Sequence, residues 1–267
     1  MRIRSGREEG LLYSLSRWTD VPAAKWGWFR YELKNGFMMG VDPRTAVPGL
    51  WSLKPEDTLA LVFWTKNPAP ILRDAEVLSE YRKAIHVTVN GWEEAEKGAP
   101  TLEEGTDLLR RTIEVFGQDV IWRFSPVPLV PDVVSRFEAI VNLLGSRAVG
   151  LSVYISFIQD NDLITEPRSA PEKVHIIQQL RAIAKRHWMN LRICMADDIA
   201  LNPLVADLGG VCEDGVRFEA TEWEKCGCAL SVDPFTINES CVYGCSYCYA
   251  SDKTLNPKKR NTLKVLR

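Results

Sequence analysis

The feature that most limits what this chain can fold into is its alternation of short apolar runs with longer amphipathic stretches. Runs rich in β-branched and aromatic residues read as strands over 11–16, 59–64, 84–90, 120–124, 149–157, 190–195 and 229–237, with a short strand or extended arm over 37–40. Between them, helical spacing predicts helices over 22–34, 69–82, 103–116, 133–144 and 171–187. Parallel strands need long crossovers, and helices supply them, so this order predicts an α/β fold built on a parallel sheet. Seven or eight such strands predict a full or partial parallel (β/α) barrel, TIM-like, with a doubly wound open sheet as the alternative. No internal repeat or low-complexity tract divides the sequence. Residues 1–267 are therefore expected to form one domain, with a cysteine-rich segment over 190–252 inside it.

Composition narrows the function. The 267 residues are 46% hydrophobic and 25% charged with a net charge of −2, so no overall basic field draws in a nucleic-acid duplex. A small molecule or a nucleotide is the expected substrate. The first residues, Met1-Arg-Ile-Arg-Ser-Gly-Arg, are charged rather than apolar. No apolar run approaches the ~18 residues a spanning helix requires. Neither a secretory leader nor a membrane partner is expected. Seven cysteines, an odd number gathered toward the C-terminal end, do not make a secreted disulfide framework. They fit thiolate–metal chemistry in the reducing cytoplasm.

Three of those cysteines lie in Cys241-Val-Tyr-Gly-Cys245-Ser-Tyr-Cys248-Tyr-Ala. A C-x3-C-x2-C loop can fold back onto one metal centre. Proteins usually hold a 4Fe-4S cluster with four thiolates, so three leave one iron open to a ligand that is not protein. Three quarters of a zinc site is the plainer alternative, although structural zinc favours two separated cysteine pairs. The string resembles the radical S-adenosylmethionine signature, in which the spare iron is chelated by the cofactor. That resemblance implies 4Fe-4S and S-adenosyl-L-methionine as cofactors, a position near the adenine for Tyr247, and an electron donor such as flavodoxin or ferredoxin.

Other stretches extend the likeness. Ser14-Leu-Ser-Arg17-Trp-Thr19-Asp20-Val-Pro22, Val62-Phe-Trp-Thr65-Lys66-Asn67-Pro68, Val120-Ile-Trp-Arg123-Phe and Cys226-Gly-Cys228 join the cysteine triad. Together they resemble a bacterial and archaeal family of radical-SAM-like proteins whose triad sits at the C-terminus. The resemblance covers nearly the whole chain and implies a cluster-binding barrel without fixing a reaction. The chain departs from that family's Cys-Ala-Glu-Asp at Cys194-Met-Ala-Asp197-Asp198, so Asp197 is not carried over. An ordinary radical SAM chain begins with its cysteine strand, and this one is ordered as though circularly permuted. Closure of a barrel would set the last strand, which delivers the cysteine loop, beside the first.

A bound S-adenosylmethionine needs a cation for its carboxylate and acceptors for its ribose hydroxyls. Arg17, Lys66 and Arg123 fall at expected strand ends and are candidates for the first role. Asp20, Asn67, Asp197 and Asp198 are candidates for the second. The plain reading of Arg123 is a structural partner for Asp20 or Asp198. Cys194, Cys212, Cys226 and Cys228 equal the number needed for a second site, an auxiliary iron–sulfur cluster or zinc. Their irregular spacing weighs against it, and Cys194 at a strand end is equally a small buried apolar residue. The expected function is a radical SAM enzyme. Its rivals are a non-catalytic iron–sulfur or zinc-stabilised module and a radical enzyme that repairs or modifies nucleic acid.

Overall fold

The computed structural model describes residues 3–4, 10–16, 19–41, 48–128, 130–157, 169–194, 210–211, 222–223, 226–229, 231–232 and 241–248. Twelve strands run in chain order through these residues. They are β1 (Ile3–Arg4), β2 (Leu11–Ser14), β3 (Phe37–Val41), β4 (Pro48–Ser52), β5 (Thr58–Thr65) and β6 (Lys83–Thr88), followed by β7 (Val120–Phe124), β8 (Ser152–Ile155), β9 (Asn190–Ile193), β10 (Gly210–Val211), β11 (Glu222–Trp223) and β12 (Cys226–Ala229). The helices are α1 (Val21–Ala24), α2 (Trp26–Asn35), α3 (Ala69–Arg73), α4 (Leu102–Phe116), α5 (Val133–Leu144) and α6 (Ala170–Arg186).

The central sheet has seven strands in the order β10-β9-β8-β7-β6-β5-β2, all neighbours parallel. Strand order follows sequence order from one edge to the other, without the reversal that marks a doubly wound sheet. At the far side of β2, Val232 makes a parallel bridge with Tyr13. Ser14 N–H donates to the Val232 carbonyl at 2.9 Å, and Val232 N–H donates to the Leu12 carbonyl at 2.8 Å. The late chain thus lies beside the first strand of the sheet at Val232.

Alternation assigns the two faces of the sheet. Tyr13, Leu61, Phe63, Ile85, Val87, Trp122, Phe124 and Val153 share one core with Phe29 of α2, Leu109 of α4, Phe137 of α5 and Ile177 of α6. These residues face the helices, and the helices' apolar stripes close over them. The opposite face carries a smaller cluster, Leu12, Ala60, Val62, Ala84, Ile121 and Tyr154. The termini of the long helices follow from local chemistry. A capping box joins Thr101 to Glu104 ahead of α4, and a second joins Ser169 to Glu172 ahead of α6.

Three expectations need correction. The helix over 22–34 is interrupted at Lys25, where φ of −133° leaves helical space, giving α1 and α2. The helix expected over 69–82 is only α3 followed by a short 3-10 turn. Asp74 stops it: its carboxylate is held by Trp26 Nε1 at 2.8 Å and Arg30 at 2.8 Å, while its backbone leaves helical geometry. Of the two readings of 37–40 the short strand holds: it is β3, paired antiparallel with β4 and joined by β1 in a second, three-stranded sheet. In the last expected strand, 229–237, Ala229 instead ends β12 in an antiparallel ribbon with β11. Val232 alone of that stretch's described residues pairs with the main sheet.

Among the described residues no helix is long and apolar enough to cross a membrane.

Candidate functional site

Two buried carboxylates organise the carboxyl end of the sheet. The first is Asp20, 6% exposed, just beyond β2. Its Oδ1 accepts from the Ala23 N–H at 3.0 Å and caps α1. Its Oδ2 accepts from Thr65 Oγ1 at 3.0 Å and from the Lys66 N–H at 2.8 Å, tying the end of β2 to the end of β5. Thr65 Oγ1 also accepts from the Asn67 N–H at 3.0 Å, and the Asn67 side chain in turn accepts from the Ala69 N–H at 3.1 Å. Burial pushes the Asp20 carboxyl up to about 6, although these donors and the Lys66 charge pull the other way.

The second is Glu96, also 6% exposed, in the turn that follows β6. Its Oε1 accepts from Lys66 Nζ at 2.7 Å, from Asn90 Nδ2 at 2.8 Å and from the Tyr247 hydroxyl. Asn90 extends the network to β7, accepting from the Ser125 N–H at 2.8 Å and donating to its carbonyl at 3.3 Å. A buried ion pair survives desolvation only where further hydrogen bonds satisfy its members, and three donors on one oxygen provide that. Lys66 Nζ also lies 5.9 Å from the centroid of the Tyr247 ring.

The cysteine loop docks on this second network. Tyr247 stacks on Trp92, centroids 5.5 Å apart and planes 13° from parallel. The Ser246 N–H donates to the Ala95 carbonyl at 2.9 Å, and the Cys248 N–H turns back to Cys245 at 3.0 Å. Gly98 permits the approach, since a Cβ there would stand 3.0 Å from the Tyr243 carbonyl oxygen. Gly244 adopts φ of +57°, a left-handed turn between the first two cysteines. Burial, and then Glu96 beside it, raise the Tyr247 phenol so that it stays a donor. The side chains of Tyr247 and Cys245 interact. Tyr243 is buried with its hydroxyl lacking a hydrogen-bond partner among the described residues, and it senses the charges of Asp20, Cys241 and Cys245. The loop therefore lies against the Glu96 network, with Asp20 near enough to act on Tyr243 through its charge.

Cys245 is buried, while Cys241 and Cys248 are half-buried, and all three are free thiols. Burial pushes the Cys245 thiol up to about 11, so it needs a cation close by to ionise. Among the described residues no three thiol, imidazole or carboxylate side chains already stand grouped as a metal cage. What fits a metal is the donor set itself: thiolates select iron–sulfur clusters or zinc over harder ions.

The structure brings Asp20, Lys66, Asn67, Cys241, Cys245, Tyr247 and Cys248 to one end of the sheet. Arg123 is on the inner face of β7, its guanidinium 5.5 Å from the Trp64 ring centroid, and it pairs with neither Asp20 nor any other described carboxylate. Cys194 is half-buried just past β9. Cys226 and Cys228 are on β12. Arg17, Asp197, Asp198 and Cys212 lie outside the described residues. Glu96, Asn90 and Trp92 are the site residues that sequence reasoning missed. Asn90-Gly-Trp-Glu-Glu-Ala-Glu has no strand or helix period, and one glutamate among several carries no mark of burial.

Residues 12–250 match the model of a domain of unknown function, DUF1848. The chain belongs to the DUF1848 family. No curated protein matches it. The match spans the sheet from β2 through the cysteine loop, so the DUF1848 domain contains both carboxylate networks and the triad.

Proposed function

We propose that this DUF1848 protein is a radical S-adenosylmethionine enzyme, with Cys241, Cys245 and Cys248 holding a 4Fe-4S cluster at the carboxyl end of the sheet. The observation that carries the reading is the docking of a C-x3-C-x2-C loop, through Tyr247 and Glu96, onto the end of a parallel sheet where α/β folds gather their chemistry. When bound, such a cluster supplies the electron that cleaves the sulfonium C–S bond of the cofactor and starts hydrogen abstraction from a substrate. The chain's own residues have narrower tasks. Trp92 and Tyr247 form a stacked pair beside the thiols, and the Glu96 network fixes that pair in place. Asp20 and Thr65 hold the strand ends that form the floor. An external reductant, a flavodoxin or ferredoxin, and a reducing cytoplasm complete the reading.

The sequential strand order, helices packed on one face, and Val232 beside β2 support a partial or closed (β/α) barrel around the inner face. In that reading the cysteine loop follows the last barrel strand and meets the first.

The test is anaerobic reconstitution with iron and sulfide, followed by dithionite and S-adenosylmethionine. Formation of 5′-deoxyadenosine, lost in a Cys241→Ala, Cys245→Ala, Cys248→Ala triple variant, is the expected result. A colourless protein that takes zinc at these thiols and yields no product would replace the enzyme with a metal-stabilised module. Salt-sensitive binding of DNA or RNA by an active enzyme would direct the reading to a nucleic-acid substrate.

A further inference from the structure

We infer that the inner face of the sheet holds an oxyanion site, with Arg123 as its gripping residue, for a substrate carrying a carboxylate or phosphate group. The pairing register sets Thr88, Arg123, Tyr154 and Arg192 in one row across β6, β7, β8 and β9. Residues directly opposite in register share a face, so all four project inward. Arg123 and Arg192 are two strand spacings, roughly 10 Å, apart. Below that row the inner face is filled by Leu12, Ala60, Val62, Ala84 and Ile121, with the imidazole of His86 set among them against Trp64 and Tyr154, all five apolar residues and His86 buried. Thr88, Arg123 and Arg192 themselves are only half-buried. The inner face is a cup whose floor is apolar apart from His86, and solvent reaches its rim at Thr88, Arg123 and Arg192.

Charge on this face is one-sided. None of the inward positions in the described strands carries a carboxylate, yet two carry guanidinium groups. Arg192 is engaged by other groups, so the argument rests on Arg123. Among the described residues its side chain has no ion pair and no hydrogen-bond acceptor, only the face of Trp64 beneath it at 5.5 Å. Trp64 adds a second unmet donor, since its indole Nε1 is buried without a partner among the described residues. A planar guanidinium lying on an aromatic ring keeps its in-plane N–H groups free for a bidentate oxyanion. Lys66, a further cation at this end of the sheet, is already committed to Glu96. An anion entering the cup therefore finds Arg123 available.

The assignment rests on the proposed function in taking the cup, next to the cysteine loop, as the place where substrate is met. Its test does not require the cluster. Protein without metal is titrated with inorganic phosphate and, separately, with succinate, following thermal unfolding against sodium chloride of matched ionic strength. Saturable stabilisation by phosphate identifies a phosphate-bearing substrate, and by succinate a carboxylate. The expected result is that Arg123→Gln weakens that binding about tenfold or more, the loss of a charge-assisted hydrogen bond. Arg123→Lys retains part of it, and carries the comparison should Arg123→Gln fail to fold by circular dichroism.

Retention of S-adenosylmethionine by cluster-reconstituted protein is measured by equilibrium dialysis on the same variants. It is expected to be unchanged. Equal binding of both oxyanions by wild type and variants, or no saturable binding of either, overturns the site. Loss of S-adenosylmethionine retention in Arg123→Gln overturns it as well, by making Arg123 a cofactor residue. Absence of 5′-deoxyadenosine together with intact, Arg123-dependent oxyanion binding removes the radical reading and leaves the site standing.

Discussion

Asp20 and Glu96 are equally buried and stand at the same end of one sheet, yet they are satisfied in opposite ways. Asp20 takes two of its three hydrogen bonds from main-chain N–H groups, and all come from segments that border the first strands. Glu96 takes all three from side chains, drawn from the ends of β5 and β6 and from a loop 151 residues further along the chain. Main-chain partners move only if the fold moves, so Asp20 belongs to the scaffold. Side-chain partners can be released one at a time, so Glu96 couples the cysteine loop to a frame that stands without it.

The comparison breaks most sharply at Glu96. Replacing Glu96 with alanine leaves Lys66 buried without its anion, and a loss of about 3–5 kcal/mol in denaturant unfolding is expected. Hydrogen exchange in residues 241–248 should rise even in metal-free protein. Unchanged exchange there would show that the loop does not depend on Glu96.

Asp20 provides the next largest effect, through pH. Its folded carboxyl is raised from 3.8 to about 6, so the folded chain keeps this proton where the unfolded chain has lost it. The resulting stability is full below pH 3.8 and is lost as pH rises through about 6, about 3 kcal/mol in all. Unfolding measured across pH 4–7 should show that slope in the wild type and a flatter profile in Asp20→Asn. Equal slopes would remove Asp20 as the titrating group.

Tyr247→Phe keeps the stack on Trp92 and deletes the donor to Glu96. A cost of about 1.5–3 kcal/mol is expected from the lost bond to a charged acceptor. The loop should exchange faster while the amides of α4 and α5 stay protected. The smallest effect belongs to Thr65→Val, which removes one Asp20 donor and the acceptor for the Asn67 N–H. About 1 kcal/mol is expected by urea unfolding, with loop exchange unchanged.

How much of this was legible in the sequence depended on period. β7 and α5 occupy the stretches that apolar spacing predicts, because their burial pattern is their sequence pattern. β2, β5, β6, β8 and β9 are readable for the same reason, being mostly apolar on the helix side. α3 was overextended because 69–82 has acceptable helical spacing. What ends it, the Asp74 carboxylate held by Trp26 and Arg30, comes from over forty residues away. Nothing in Pro48-Gly-Leu-Trp51 marks β4, since it opens with two residues that ordinarily interrupt strands and its pairing with β3 comes from tertiary contact. At the site, the thiols and Tyr247 announced themselves by spacing. Asp20, Lys66 and Asn67 were singled out by their place at strand ends. Glu96 had neither signal, because its burial is imposed by Lys66, Asn90 and Tyr247 together.

The bridge between Val232 and β2 also bears on how the molecule is made. During synthesis the first strand of the sheet emerges more than two hundred residues before the segment that covers its outer edge. Until then that edge offers unpaired N–H and C=O groups to any other nascent chain, a standing invitation to mispairing. The cysteine loop leaves the ribosome just behind its cover. The sheet that the loop docks on is thereby made before the loop itself, and a chain cut short before Val232 is left with an open edge.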